Sequence, residues 1–299
     1  TLGPQHAEAW QGAAMEHCVS RSVRDSAALL DATHGSLPGD PYHIAPPAGS
    51  FLEASRRAPD PLRIGFTNTH TLGQDVHPDC RAAVEQTARL LEKLGHQAEE
   101  VDNPFRREDL TEVFLLMILG ETAATVRALE ERLGRPAARR DVEPNTWSLY
   151  LMGRTISAEQ FVTAKRRWNN LARRMAAFHR NYDLLLTPPV AQPPFPIGHL
   201  QPSPAEKRLV GLVNRFGLGK LALNNLERLA DKVFSYIPFT PLANMTGRPA
   251  MSVPLFWNDE QLPIGSMFTA PAGREDLLFQ LAGQLETARP WFDRVPTLD

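Results

Sequence analysis

Cysteine is nearly absent: the 299 residues hold only Cys18 and Cys80. Two thiols in no metal-ligand spacing exclude a disulfide framework and a cysteine-based zinc site. Both read as small apolar core residues rather than reactive groups. Lysine is scarce too, limited to Lys93, Lys165, Lys207, Lys220 and Lys232, so most of the 32 basic side chains are arginine. With 34 acidic residues against them the formal net charge is −2, which gives no electrostatic reason to expect nucleic acid or a membrane as partner. The longest apolar run, residues 113–119, is far shorter than the roughly 20 residues of a spanning helix. No secretory signal pattern is visible, and a cytoplasmic location is expected. No internal repeat occurs, which removes solenoid architectures.

Several chemistries lack their motifs. The nearest approach to a Gly-x-Ser-x-Gly nucleophile turn, residues 35–39 (GSLPG), has the wrong spacing. There is no His-Glu-x-x-His and no paired-cysteine motif, and residues 217–220 (GLGK) lack the upstream glycine and downstream hydroxyl of a phosphate-binding loop. The nine histidines are scattered. His70 and His77, in one polar loop, are the best placed for chemistry, although surface polar residues are the expectation for both. No metal and no cofactor is called for.

What is present is an ordinary globular composition, 42% hydrophobic and 22% charged, with an alternation of helices and strands. Residues 22–33 place Val23, Ala27 and Leu30 on one helical face. Residues 38–50 read as an irregular Pro/Gly loop. Residues 62–66 read as a buried strand, 78–94 as a helix with Pro at its first turn and Gly95 at its end, and 97–101 as a returning strand. Two long helices follow, 107–133 and 157–178, the second opening on a Ser157/Gln160 capping box. A strand at 182–187 runs into residues 188–206, whose seven prolines forbid helix and ladder alike. That segment reads as an extended loop at a strand end, where open α/β sheets commonly bind ligands. Helices at 205–215 and 218–234 precede residues 239–283, which read as helix, strand, turn, strand, helix. There Asn244 and Thr246 are placed as helix caps, and Pro254 marks a bulge or an edge strand. The rhythm predicts an α/β fold with helices on a parallel or mixed sheet.

Residues 239–283 resemble the C-terminal signature of the amidase signature family, through Pro241-Leu242-Ala243-Asn244, Gly247-Arg248-Pro249, Pro254, residues 262–265 (LPIG) and residues 273–277 (GREDL). Residues 12–33 resemble the helix that follows that family's nucleophile region, with Arg21, Ser22 and Asp25 in the expected places. Residues 62–66, 149–166 and 183–188 are similar to further pieces in the same order, and the branch of 6-aminohexanoate-cyclic-dimer hydrolases is the nearest in pattern. The resemblance implies cofactor-free hydrolysis of a carboxamide by a Ser–cis-Ser–Lys triad. No match to the triad motifs is found, and Thr1 to Pro4 look like the point just after the nucleophile segment.

The expectation is therefore an α/β protein that is the C-terminal portion of an α/β/α sandwich with a mixed β-sheet. Its N-terminal catalytic part would be missing, leaving one partial domain over residues 1–299. On that reading the chain holds no catalytic residue and is inactive alone. Its partners would be a small-molecule amide and the missing half, in cis or as a second chain, with homo-oligomerisation a further expectation. The alternative is a non-catalytic or split-subunit binding module. Candidate substrate-wall residues are Thr122 on the middle helix, Thr187 and Pro188 at the strand end, and Phe239 and Thr240 ahead of the C-terminal signature.

Overall fold

The computed structural model describes residues 8–223 and 226–295. The expected start at Thr1 to Pro4, and residues 224–225 of the expected helix 218–234, lie outside the described residues. In chain order the helices and strands are α1 (Val23–Thr33), α2 (Phe51–Ala54), β1 (Arg63–Phe66), α3 (Pro78–Lys93), β2 (Gln97–Glu100), α4 (Leu115–Leu133), α5 (Pro144–Gly153), α6 (Ala158–Phe178) and β3 (Leu184–Thr187). They continue with α7 (Pro204–Phe216), α8 (Gly219–Leu223), α9 (Leu226–Phe234), α10 (Pro241–Thr246), β4 (Ala250–Trp257), β5 (Pro263–Thr269) and α11 (Glu275–Ala288). They divide between two compact units. Unit 1 takes Thr1–Phe105, Leu171–Pro194 and Tyr236–Asp299; unit 2 takes Arg106–Asn170 and Phe195–Ser235.

Unit 1 is built on a five-stranded sheet in the order β2-β1-β3-β5-β4. β1 pairs in parallel with β2 and β3, while β5 runs antiparallel to β3 and β4, so the sheet is mixed, as expected. β1, β3, β4 and β5 supply alternate side chains to one face, the period-2 rule of a pleated strand, whereas β2 adds none to it. Ile64, Leu184, Leu186, Val253, Leu255 and Phe268 form that face, covered by Val84 and Leu91 of α3 and by Leu277, Leu278, Leu281 and Leu285 of α11. The opposite face carries Gly65, where an added Cβ would meet the Phe178 ring at 2.9 Å, so the end of α6 lies directly on it. β4 is one of the two edge strands, with β2 at the other edge, and its register breaks between Val253 and Phe256, which is where Pro254 sits.

Local chemistry sets most helix starts. Ser22 accepts from the Asp25 N–H at the head of α1, and Pro78 occupies the first turn of α3 after His77 as N-cap. Ser157 and Gln160 form the expected reciprocal capping box ahead of α6. Two expectations need correction. The helix read at 107–133 starts at Arg107 as expected, but Asp109–Phe114 within it is π-helical rather than α-helical. There the Asp109 carboxylate accepts from the Arg106 N–H, and Thr111 Oγ1 donates back to the Arg107 carbonyl, competing with regular helical bonding. Asn244 does not cap α10; its Nδ2 donates to the Ala13 carbonyl at 2.8 Å.

Unit 2 is helical. α4 and α5 approach so closely that a Cβ on Gly153 would lie 2.1 Å from the Leu119 carbonyl oxygen. α5 and α8 do the same at Gly219, 2.2 Å from the Leu151 carbonyl oxygen. No helix among the described residues is long and apolar enough to cross a membrane.

Candidate functional site

The sheet order places a topological switch point in unit 1. From β1 the chain passes to β2 on one side and returns to β3 on the other, so the loops leaving the carboxyl ends of β1 and β3 diverge. Crevices of this kind are where open α/β sheets bind ligands. Three segments meet at this end: residues 67–77 after β1, 188–194 after β3, and 236–240 before α10.

Hydrogen bonds hold the three segments together. Thr67 N donates to the Leu186 carbonyl, His77 N to the Ala191 carbonyl at 2.9 Å, and Ala191 N to the Tyr236 carbonyl at 2.9 Å. Thr71 Oγ1 donates to the Pro238 carbonyl at 2.7 Å. Asn103, just after β2, gives its amide N–H groups to the Thr69 carbonyl at 2.8 Å and to Thr71 Oγ1 at 3.2 Å. A loop fixed at this many points is preorganised, which is what a binding rim requires.

Thr187, the last residue of β3, is only 2% exposed, yet its hydroxyl has no hydrogen-bond partner among the described residues. Buried polar side chains are nearly always paired, so an unpaired one at a switch point marks a position where a ligand group can complete the bonding. Asn68 Oδ1, on the loop leaving β1, is a second buried oxygen without a partner among the described residues. Thr187 pairs in register with Met267, which pairs with Ser252, giving a row across one sheet face. Glycine at 265 lets Ser252 Oγ and the Pro189 ring close in, at 2.5 and 2.9 Å from where a Cβ would stand.

Of the expected wall residues, four fall in this unit. Thr187 and Pro188, both buried, end β3 and begin the loop. Phe239 is 2% exposed, packs among Val76, Cys80, Ala83, Ile264 and Met267, and lies 6.2 Å edge-on to the His70 ring. Thr240 is the N-cap residue of α10, half-buried and without a side-chain cap bond. Thr122 belongs to unit 2, where its hydroxyl donates to the Ile118 carbonyl at 2.7 Å, a bond internal to α4.

The expectation that His70 is a surface residue is corrected: it is 3% exposed, and its Nδ1 accepts from the Leu72 N–H at 3.0 Å. His77 instead receives the Asp79 N–H as a helix cap. Asn68, Thr71 and Asn103 were not singled out from sequence. The one available signal was the polar run Thr67 to Thr71 directly after a four-residue strand.

Among the described residues two serine–histidine contacts lie before β1: Ser26 Oγ with His17 Nε2 at 2.7 Å and Ser36 Oγ with His43 Nδ1 at 2.6 Å. Both are exposed, whereas catalysis relies on excluding water around a nucleophile and its base. Cys80 is fully buried, and burial, followed by the negative charge of Asp79, pushes its thiol up to about 12, so it stays protonated. Among the described residues no group of three or more His, Cys, Asp or Glu side chains is placed to hold a metal ion.

Comparison with known proteins places this architecture. A family model described as Amidase matches residues 13–279. The chain is 31% identical over 284 residues to a putative amidase AmiC of Mycobacterium leprae, covering 94% of this chain and 54% of that protein. It is 30% identical over 298 residues to the 6-aminohexanoate-cyclic-dimer hydrolase of a Pseudomonas species, covering 96% and 56%. The solved structure of a 6-aminohexanoate cyclic dimer hydrolase complexed with substrate superposes with a TM-score of 0.77 at 29% identity, over 93% of this chain and 55% of that one. The chain thus spans about half the length of the curated relatives it matches.

These matches correct the reading of this chain as a C-terminal portion lacking its catalytic part. That reading rests on triad motifs that could not be read, whereas the matched segment takes in nearly the whole chain, and the α/β/α layering with its mixed sheet is built within it. Nothing in the match places a triad outside the chain, so inactivity of the chain alone has no ground. The same holds for a missing half, in cis or as a second chain, and for homo-oligomerisation.

Proposed function

The chain belongs to the amidase family, and from that membership we propose that the protein is a hydrolase of carboxamide C–N bonds. The observation that carries the reading is the buried, unpaired Thr187 hydroxyl at the switch point, within a rim fixed by Asn103, Thr71 and the 236–240 segment. A hydroxyl there can donate to an amide carbonyl oxygen or accept from an amide N–H, and the polarity of a carboxamide suits either role. Pro188, Phe239 and Thr240 are proposed as the apolar and polar wall beside it; Thr122, which belongs to unit 2, is proposed as a substrate contact in its own right. The relatives named for hydrolysis of 6-aminohexanoate cyclic dimer favour linear and cyclic amides of short aliphatic amino acids as substrates. A cytoplasmic location belongs to the same reading, supported by the two free thiols Cys18 and Cys80.

The test is release of free amine from a panel of linear and cyclic aliphatic amides, with matched esters as controls. Turnover of at least one amide is expected, with KM raised about three- to tenfold in Thr187→Val and kcat less affected, as loss of one substrate hydrogen bond predicts. A folded protein that turns over esters but no amide would sink the proposal.

A further inference from the structure

Unit 2 holds a cleft open to solvent, lined by none of the residues proposed above for amide hydrolysis, with Arg139, Arg140, Pro144 and Gly211 all exposed on it. Its volume is about 470 Å³, and Ala138, Arg139, Arg140, Pro144, Gly211 and Asn214 line it. That is within the range of about 300–1,000 Å³ typical of small-molecule sites.

The backbone that carries the two arginines is fixed by its neighbours. Arg135 grips Asp141 with two parallel bonds of 2.8 and 2.9 Å, and the Asp141 carboxylate also accepts from the Ala138 N–H at 2.7 Å. These contacts hold its carboxyl far below the usual carboxylate range. Glu130 accepts from the Ala137 N–H at 3.2 Å. On the far wall Asn214, 8% exposed, donates to the Pro144 carbonyl at 2.8 Å and accepts from Ser148 Oγ at 2.7 Å, which fastens α7 to the start of α5.

One acidic group near the cleft, Asp141, is therefore committed to Arg135. Arg139 and Arg140 enter no ion pair with a carboxylate among the described residues. Arg140 only adds its charge to the stabilisation of Asp141. Two guanidiniums on a fixed backbone, with their natural counter-charge already engaged elsewhere, form a receptor for an anion. The planar fork of arginine matches a carboxylate in particular. The remaining lining, Ala138, Pro144 and Gly211, is apolar or bare. Gly211 has no atom within 4 Å of where a Cβ would stand, so the space beside it is open to a hydrocarbon body.

We propose that this cleft is a binding site for a small organic carboxylate, the anion seated on Arg139 and Arg140 and a short apolar body lying along Gly211 and Pro144. The assignment does not depend on the amidase reading, since it uses no residue of the switch-point rim. If that reading holds, the ligand belongs to the chemical class that amide hydrolysis releases, and the cleft would sense or retain product.

The test is titration of the 299-residue chain with hexanoate by calorimetry and ligand-observed NMR, with hexanamide, 1-hexanol and sulfate as controls. Saturable hexanoate binding is expected at millimolar concentration or below, with each control at least fivefold weaker. Arg139→Gln/Arg140→Gln should weaken hexanoate about tenfold or more. Gly211→Leu should do the same by filling the cleft, with every charge retained. Both variants should keep the parent circular dichroism and melting temperature, which separates loss of the site from loss of the fold. The proposal is overturned if hexanoate does not saturate, if sulfate binds as well as hexanoate, or if the affinity survives in both variants. Amide turnover is absent from this readout, so failure here and failure of the amidase reading are distinguishable.

Discussion

The two units draw on different packing devices: only unit 1 covers a sheet with large side chains, whereas close glycine approaches occur in both, at Gly283 against the Ser55 carbonyl in unit 1 as well as in unit 2. Unit 1 buries large side chains between a sheet and two helices: Phe268, Ile64, Leu184, Leu186 and Leu281 are all inaccessible. Unit 2 brings helices together by omitting side chains, at Gly153 against the Leu119 carbonyl and Gly219 against the Leu151 carbonyl. Removal of apolar area from water contributes more in the first, at about 25 cal/mol per Å². In the second, close backbone approach and the dispersion it allows matter more. Tolerance to substitution should therefore differ by site, the sheet core of unit 1 being sensitive to lost volume and the Gly153 and Gly219 contacts of unit 2 to added volume.

The most severe way to break the comparison is truncation in unit 1. Phe268→Ala removes a fully buried ring from the centre of the sheet and should cost about 3–5 kcal/mol, read as a lower urea midpoint. Gly153→Ala adds one methyl in unit 2 at a point 2.1 Å from a backbone oxygen, and forcing α4 and α5 apart should cost about 1–3 kcal/mol. The same single methyl at Gly211, which has open space around it, serves as the control and should be neutral or stabilising by up to about 1 kcal/mol. Hydrogen exchange should localise the Gly153→Ala effect to α4 and α5. Equal protection in both variants would remove the distinction between the units.

A smaller effect comes from pH. Burial holds His179, near the end of α6, down at about 4; the nearby Arg248 charge lowers it too, while its hydrogen bond to the Tyr182 carbonyl works the other way. The unfolded chain takes up this proton near pH 6.5, before the folded one does. Stability from this group is therefore fully present above about pH 6.5 and is lost as pH falls towards the folded value of about 4. With a discount for partial exposure, the loss is about 1–2 kcal/mol. His179→Gln should flatten the stability profile between those limits; an unchanged slope would show that other groups set it.

How much of this was legible depended on the range of the interaction. Ser22, the Ser157/Gln160 pair, Pro78 and Pro254 report on structure within a turn or a strand of themselves, and each could be read from its neighbours. The Asn244 bond to Ala13 and the Thr71 bond to Pro238 join residues 231 and 167 positions apart, and no local pattern encodes them. The division into units was hidden for the same reason, because residues 171–194 interrupt unit 2 and belong to the sheet of unit 1. The π-helical turn at 109–114 escaped notice because its apolar spacing matches that of an α-helix. The strand end at Thr187 was visible as a hydroxyl before two prolines, whereas its lack of a partner was not, being a property of everything around it. The misjudged boundary of the family pattern had a different origin, since motifs that cannot be read are not thereby shown to be elsewhere.

Thr187 gives the smallest effect on stability and the sharpest contrast within unit 1. Removing a paired buried polar group leaves its partner unsatisfied and costs about 1–3 kcal/mol, but this hydroxyl has no partner to strand. Thr187→Val keeps the shape and deletes the unpaired oxygen, so the ligand-free protein should be unchanged or more stable by up to about 1 kcal/mol, seen as an equal or higher melting temperature. A residue kept for the fold would lose stability on this change. A gain in stability together with weaker amide binding is the signature of a polar group held in reserve for a ligand. A clear loss of stability would mean that a buried water completes the hydroxyl's bonding in the ligand-free protein, and the case for Thr187 as a substrate contact would fall with it.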